Sequence, residues 1–317
     1  MGIGLHPKGI SLAHVVLRPD ARPDLLACEF SATTEEHSDE HALGALTRAF
    51  KGTRTRVVNF LEPGTTSLSL VEAPEVSPSE LRAAVRWRIK DMLDFHIDDA
   101  VIDVFDIPGQ GERGRARMMY VVAARAAAVQ RRINLLESCG LNLTAIDIPE
   151  LAQRNVASLL PEDNGGVALL YLTDRQGLLT LSQRGVLYLA RTLEVGVDQL
   201  RQASNSSDEA ELGVGAETGG APLALQRLLD SVVLEVQRSL DYCESHFSVP
   251  PIGHLIVAPL PEPMPSVMGH LSANLGVKVQ SLDLNQLLNA REPLTDEQQW
   301  RCFLTLGAAL RHEQVAL

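Results

Sequence analysis

The chain is 317 residues long, 45% hydrophobic and only 4% aromatic, with a formal net charge of −12 at pH 7. Its length and apolar content suit about two domains of roughly 100–200 residues, each burying a real core. The acidic balance and the scarcity of rings exclude a general nucleic-acid binder, which needs a basic footprint and stacking platforms.

The sequence opens on GIGLHPKGISLAHVV (2–16), where two glycines flank a short apolar stretch and a Pro-Lys-Gly turn leads into an alternating run. This predicts a hairpin over 3–17, and glycine-rich strand–turn–strand openings can cradle phosphate with backbone N–H groups. A third strand is expected at 25–30. SDEHALGALTRAF (38–50) reads as a helix capped by Ser38, with Leu43, Leu46 and Phe50 on one face. Strands follow at 56–61 and 67–72. In SPSEL, Ser77 caps a helix, Pro78 suits the first helical position and Glu80 completes a capping box. That helix is expected to reach about Phe95 with Leu81, Val85, Ile89 and Met92 as its apolar stripe. Trp87 falls off the stripe, on a second packing face or presented to a partner.

Strands at 101–106 and 118–123 bracket the polar loop GQGERGR (109–115), and a helix over 126–139 ends at Gly140, a natural left-handed cap. A strand at 143–149 and a helix towards 160 follow. After PEDNGG (161–166), VALLYL, GLLTLSQRG and VLYLARTLEV predict three strands with turns at 174–177 and 184–185, repeating the shape of the opening unit. NSSDEAELGVGAETGGAP (205–222) has no periodic apolar face and reads as a mobile loop. A helix at 223–247, a strand at 254–258, a helix at 265–275, a strand at 277–282 and a helix at 296–312 finish the chain. Two β-rich halves with interspersed helices predict a duplicated α/β architecture.

No run reaches the ~18 apolar residues of a membrane span, and no basic segment precedes a long apolar core at the start, so a cytoplasmic protein without a targeting segment is expected. Cys28, Cys139, Cys243 and Cys302 are isolated in sequence, without C-x-x-C spacing. They suit buried thiols in a reduced compartment better than a zinc ribbon or disulfide framework.

The stretch VEAPEVSPSELRAAVRWRIKDMLDFHIDDAVIDVFDIP (71–108) resembles the MshI family of MSHA pilus biogenesis proteins. That family is similar in turn to PilM, the cytoplasmic actin-like component of type IV pilus inner-membrane platforms. VVAAR (121–125), LLESCGLNLTAIDIPE (135–150), LEVQRSLDY (234–242) and LGAALR (306–311) match in the same order, so the resemblance spans nearly the whole chain. It implies an actin-like α/β fold of the FtsA/PilM type, with duplicated ribonuclease-H-like domains. Residues 1–73 and 146–164 would form subdomain 1A around an inserted subdomain 1C at 74–145. Residues 165–204 and 250–317 would form subdomain 2A, and 205–249 subdomain 2B with the loop 205–222.

The resemblance also implies where a nucleotide site would lie. The first phosphate loop of actin-like folds usually reads D-x-G-[ST]; here Gly4 stands at the acidic position, His6 at the glycine and Pro7 at the hydroxyl residue. Pro7 has no N–H for a phosphate oxygen, and Gly4 cannot hold a magnesium-bound water as a carboxylate would. Lys8 is a nearby cation that attracts phosphate. In the second loop, Tyr171 and Thr173 occupy the Asp-x-Gly positions, with Asp174 as a displaced acidic alternative. In place of a G-G-G run the third piece has Pro259, Leu260 and Pro261, in a register fixed by Pro265. Three degenerate motifs imply a pseudo-ATPase with no catalytic residue and no cofactor. Lys8 and Asp174 favour the rival expectation, an actin-like ATPase with divergent loops that takes ATP and magnesium.

HSDEH (37–41) matches the H-x-x-E-H of inverted zincins. With Ser38 as cap, however, His37 leaves the helix turn on which both ligands must sit, so a solvated acidic helix start is expected and no metal. No G-x-S-x-G elbow or P-loop occurs. Asp103 and Asp106 fall on opposite faces of a strand and make a poor catalytic pair. Asp91, Asp94, Asp98 and Asp99 gather acidic charge around Phe95, while Arg86, Arg88 and Lys90 read as solvated. In PilM-like proteins a short apolar tail of a bitopic membrane protein, carrying one or two arginines, docks between 1A and 1C. The resemblance therefore implies a PilN-like inner-membrane partner, with Trp87, Asp91, Asp94 and Phe95 as candidate tail-binding residues. The assembly ATPase is a further implied partner, and the expected location is peripheral, at the cytoplasmic face of the inner membrane.

Overall fold

The computed structural model describes residues 1–19, 21–33, 39–50, 53–108, 116–205, 222–247 and 249–312, apart from the side chains of Ala49 and Pro78. His37 and the expected cap Ser38, the polar loop 109–115 and all but the ends of the loop 205–222 lie outside these residues. The chain forms two compact units. One comprises Met1–Val156, Leu288–Leu294 and the residues from Arg301 on; the other comprises Ala157–Leu287 and Thr295–Trp300.

In the first unit, β1 (Gly2–His6) and β2 (Gly9–Val16) form the predicted hairpin, and β3 (Asp24–Ala32) pairs antiparallel with β2. On the other side β4 (Arg56–Phe60) runs parallel to β1, and β8 (Asn142–Asp147) parallel to β4. A two-residue strand, β14 (Asn289–Ala290), pairs with β3 and completes the order β14-β3-β2-β1-β4-β8. Side chains alternate across these strands. Ile3, Leu5, Ile10 and Leu12 share one face with Leu43 of α1 (Asp39–Leu46) and Leu136 of α3 (Ala126–Ser138). Gly2, Gly4 and Ser11 lie on the other face, against the later residues of α8 (Asp296–Ala309). Gly140 closes α3 at φ 73°, as its position in sequence predicts.

A separate antiparallel sheet, ordered β5-β7-β6, consists of β5 (Thr66–Glu72), β6 (Ala100–Asp106) and β7 (Met118–Arg125). Val85 and Ile89 of α2 (Pro78–Ile89) pack on its Val71, Met119, Val121 and Ala123. The sheet includes β5, which precedes the insert expected over 74–145 and pairs with β7 along its whole length, while α3, within that expected span, sends Leu136 into the core of the large sheet. Glu80 holds the start of α2 by accepting from the Ser77 N–H at 3.3 Å and its hydroxyl at 2.7 Å. The helix is shorter than expected. A single 3-10 turn covers Lys90–Met92, Leu93 is extended and packs on the insert core, and Met92 is 54% exposed instead of extending the stripe.

The second unit repeats the pattern. β9 (Val167–Leu172), β10 (Gly177–Gln183) and β11 (Val186–Leu193) are antiparallel neighbours, and β12 (His254–Val257) and β13 (Lys278–Ser281) extend β9 in parallel, in the order β11-β10-β9-β12-β13. β9 is buried throughout, so it reads as an unbroken apolar run. α6 (Leu223–His246) covers β10 and β11, and α7 (Pro265–Asn274) follows β12. A helix the sequence reading did not include, α5 (Val197–Asn205), buries Val197, Leu200 and Ala203. The span 250–317, expected as one piece of the second half, divides: β14 pairs with β3 and Thr305 bonds Ser11, so 288–294 and the residues from 301 on join the first unit.

Candidate functional site

The expected first phosphate loop is the β1–β2 hairpin. Its register sets Gly4 opposite Ser11 and His6 opposite Gly9, leaving Pro7 and Lys8 as the exposed turn. His6 Nε2 and Ser11 Oγ are 2.6 Å apart, and Ser11 Oγ is hydrogen-bonded in turn to Thr305 Oγ1 of α8. Ser11 and Thr305 are fully buried. A Cβ on Gly4 would lie 2.5 Å from each of these hydroxyl oxygens and 2.8 Å from His6 Nε2. The space beside Gly4, where a D-x-G-[ST] loop would place a carboxylate, is therefore filled by an imidazole–hydroxyl–hydroxyl chain. Gly2 is closer still to the helix: its Cβ would run into Thr305 O and lie 2.8 Å from Ala309 N. The opening glycines serve helix-on-sheet packing, where any side chain would push the helix away.

Tyr171, at the expected second loop, is buried in β9; its hydroxyl donates to Trp300 O at 3.2 Å, and Trp300 Nε1 donates to Leu172 O at 2.7 Å. Thr173 makes a closed turn, its Oγ1 accepting from Gln176 N at 3.1 Å while donating to Gln176 O at 2.8 Å. The carbonyls of Thr173 and Asp174 accept from Val197 and Asp198 N–H, both at 2.9 Å, and so satisfy the first turn of α5. After β12, Pro259 and Leu260, though not Pro261, line an open concavity of about 360 Å³ with Glu262, Met268 and Asp283. Prolines at 259, 261, 263 and 265 remove every second backbone donor from this stretch. Piece by piece, Gly4 brings no carboxylate, Pro7 neither hydroxyl nor N–H, and Pro259 and Pro261 no N–H to these loops, while Asp174 stands beside the second.

Two acidic residues missed in the sequence sit at the end of β8. Asp147 is buried, its Oδ1 accepting from Ile148 N at 2.9 Å and its Oδ2 pairing with Arg311 at 3.0 Å. Glu150, in the first turn of α4 (Pro149–Ala157), keeps part of its stem exposed, but its Oε2 is shielded from solvent and has no hydrogen-bond partner. Burial pushes its carboxyl up to about 7; a bond from its own N–H opposes this, and the nearby Asp147 charge adds to it. Ser11 and Thr305 had one available signal. Period-2 alternation places Ser11 on the glycine face, and Thr305, Gly307, Ala308 and Ala309 form a run of small residues on the last helix.

The candidate partner surface lies on α2 and the turn after it. Trp87 is 77% exposed, so it is no part of the core, and Lys90 Nζ stands 5.9 Å from its ring centroid. Asp94 and Phe95 meet on one cation: Arg125 pairs with Asp94 at 3.2 Å and lies 4.4 Å over the Phe95 ring. Asp91 is exposed. Arg86 pairs with Asp98 at 2.8 Å and Arg82 with Asp103 at 3.0 Å, so part of the acidic charge is already matched. Among the described residues no group of three or more His, Cys, Asp or Glu side chains could hold a metal ion, and no helix is long and apolar enough to cross a membrane.

The two main sheets share one pattern, three antiparallel strands followed by two parallel ones, and the first half carries an inserted sheet. This is the actin-like fold, two ribonuclease-H-like halves in one chain. The particular likeness is to a solved PilM–PilN type IV pilus biogenesis complex, 20% identical over 98% of this chain and 97% of that one, with a TM-score of 0.68. A looser likeness joins it to the cytoplasmic domain of EpsL, an inner-membrane component of the type II secretion system of Vibrio cholerae (14% identity, 98% and 94% covered, TM-score 0.47). Another is to a Bacteroides thetaiotaomicron protein of unknown function with an actin-like ATPase fold (9% identity, 90% and 91% covered, TM-score 0.49). No protein-family model matches the sequence, and no curated protein matches it.

Proposed function

We propose that the chain is a non-catalytic, MshI-type scaffold of an MSHA or type IV pilus assembly platform. It takes up the cytoplasmic tail of a PilN-like inner-membrane protein and is held at the membrane through that partner. The observation that carries the reading is the His6–Ser11–Thr305 chain filling the space beside Gly4, in a fold similar over 98% of the chain to that in a solved PilM–PilN complex. A protein that keeps this fold with its first phosphate loop plugged acts by binding and packing, without a hydrolysis cycle. The assembly ATPase is a second partner of the same platform.

Tail capture falls to the exposed face of α2 and the turn after it. Trp87 supplies a large ring with little entropy to lose, and Asp91 a carboxylate for an arginine of the tail. Titration with a synthetic N-terminal tail of the PilN-like protein checks this. Trp87→Ala should weaken binding at least tenfold, about 1.4 kcal/mol, with thermal stability unchanged because the ring is solvated in the free protein. Undiminished binding by the variant would remove Trp87 from the tail site.

A further inference from the structure

Cys28 and Cys302 are far apart in sequence, yet they meet on the face of the large sheet that α8 covers. Cys28 is half-buried in β3, opposite Ala13 of β2. Cys302 is fully buried, and its Sγ lies 3.6 Å from the carbonyl of Glu29, the neighbour of Cys28. Strand alternation puts Cys28 on the same face as Phe30, and Arg301, the neighbour of Cys302, lies 5.0 Å over the Phe30 ring, so the two thiols share this face. The helix comes this close because Gly2 and Gly4 present no side chain beneath it. Cys139, by contrast, caps α3, and Cys243 is buried in α6.

We infer that Cys28 and Cys302 form an oxidisable dithiol, which a hydroperoxide closes to a disulfide tying α8 to β3. This inference stands independently of the pilus reading. Cys28, half-buried where Cys302 is fully buried, is the more accessible member and meets the oxidant first. Cys302, its thiol pushed up by its hydrogen bond with Cys28 and by burial, is the resolving sulfur. The Cys28 thiolate attacks one peroxide oxygen; an S–O bond forms, the O–O bond breaks, and the departing hydroxide takes up a proton to leave as water. The Cys302 sulfur then attacks the Cys28 sulfenic acid; the S–S bond forms, the S–O bond breaks, and the hydroxyl leaves as water with the Cys302 proton. Two thiols are oxidised and one hydrogen peroxide is reduced to two waters.

The test treats the full chain with dilute hydrogen peroxide, caps the remaining thiols with N-ethylmaleimide in denaturant and reads intact and peptide masses. The expected result is loss of two hydrogens, two maleimide adducts instead of four, and a linked Cys28–Cys302 peptide that dithiothreitol releases. Cys28→Ser should abolish the mass loss and Cys139→Ser should leave it intact. Four adducts after peroxide, oxygen added to Cys28 while Cys302 remains cappable, or a bridge through Cys139 or Cys243 would each overturn the inference. The wild-type peptide map decides it even where a variant folds poorly.

Discussion

Gly2→Ala should lower the stability of the first unit by at least about 3 kcal/mol, at the upper end for overpacking a close-packed site. The added methyl would run into Thr305 O and lie 2.8 Å from Ala309 N and 3.2 Å from the Ala309 side chain. Two of these three neighbours are helix backbone, so no rotamer change relieves the clash; the helix must lift off the sheet or the strand must bend. Lifting α8 also stretches the Ser11–Thr305 hydrogen bond and opens the buried end of the glycine face. Gly44 of α1 is the control, because a Cβ there meets nothing within 4 Å. Gly44→Ala should be neutral or stabilising by up to about 1 kcal/mol, the helix-propensity difference. Urea unfolding followed by circular dichroism measures both, and equal midpoints would show that α8 does not need the glycine.

The second large effect concerns Glu150. Its carboxyl has a pKa of about 7 in the fold against 4.5 ordinarily, because burial disfavours the charged form. The native state therefore holds this proton more tightly than the unfolded chain does. Stability is highest in this respect below pH 4.5, falls as pH rises from there through 7, and levels off above. The full displacement corresponds to about 3 kcal/mol. Glu150→Gln keeps the shape without the charge. At pH 8 it should be more stable than the wild type by up to that amount, and the two should converge near pH 4.5. Parallel stability curves across this range would mean that the carboxyl ionises in the fold without penalty.

Much of the fold was legible because its signals are local. The Gly2–Val16 hairpin, the start of α2 at Ser77-Pro78, the αL glycine at 140 and the unbroken apolar run of β9 each follow from neighbouring residues. Sequence alternation could equally have flagged Ser11 as facing the glycines. The plug itself was not legible, since Thr305 comes from the far end of the chain and only tertiary packing brings it to Gly4. The same holds for the approach of Cys302 to β3 beside Cys28, for the Asp147–Arg311 pair and for β14, which is two residues long and defined solely by its pairing with β3. α2 ended earlier than expected because the periodicity allowed Met92 or Leu93 to continue the stripe, and the insert core took Leu93. α5 was overlooked beside a low-complexity stretch although Val197, Leu200 and Ala203 recur at helical spacing.

Calorimetric titration of the chain with ATP and magnesium tests the central claim most directly. With Ser11, His6 and Thr305 filling the space beside Gly4 and prolines interrupting the third loop, no saturable heat should appear at micromolar to millimolar nucleotide. Saturable binding in the micromolar range would contradict the plugged-scaffold account and restore an actin-like nucleotide cycle.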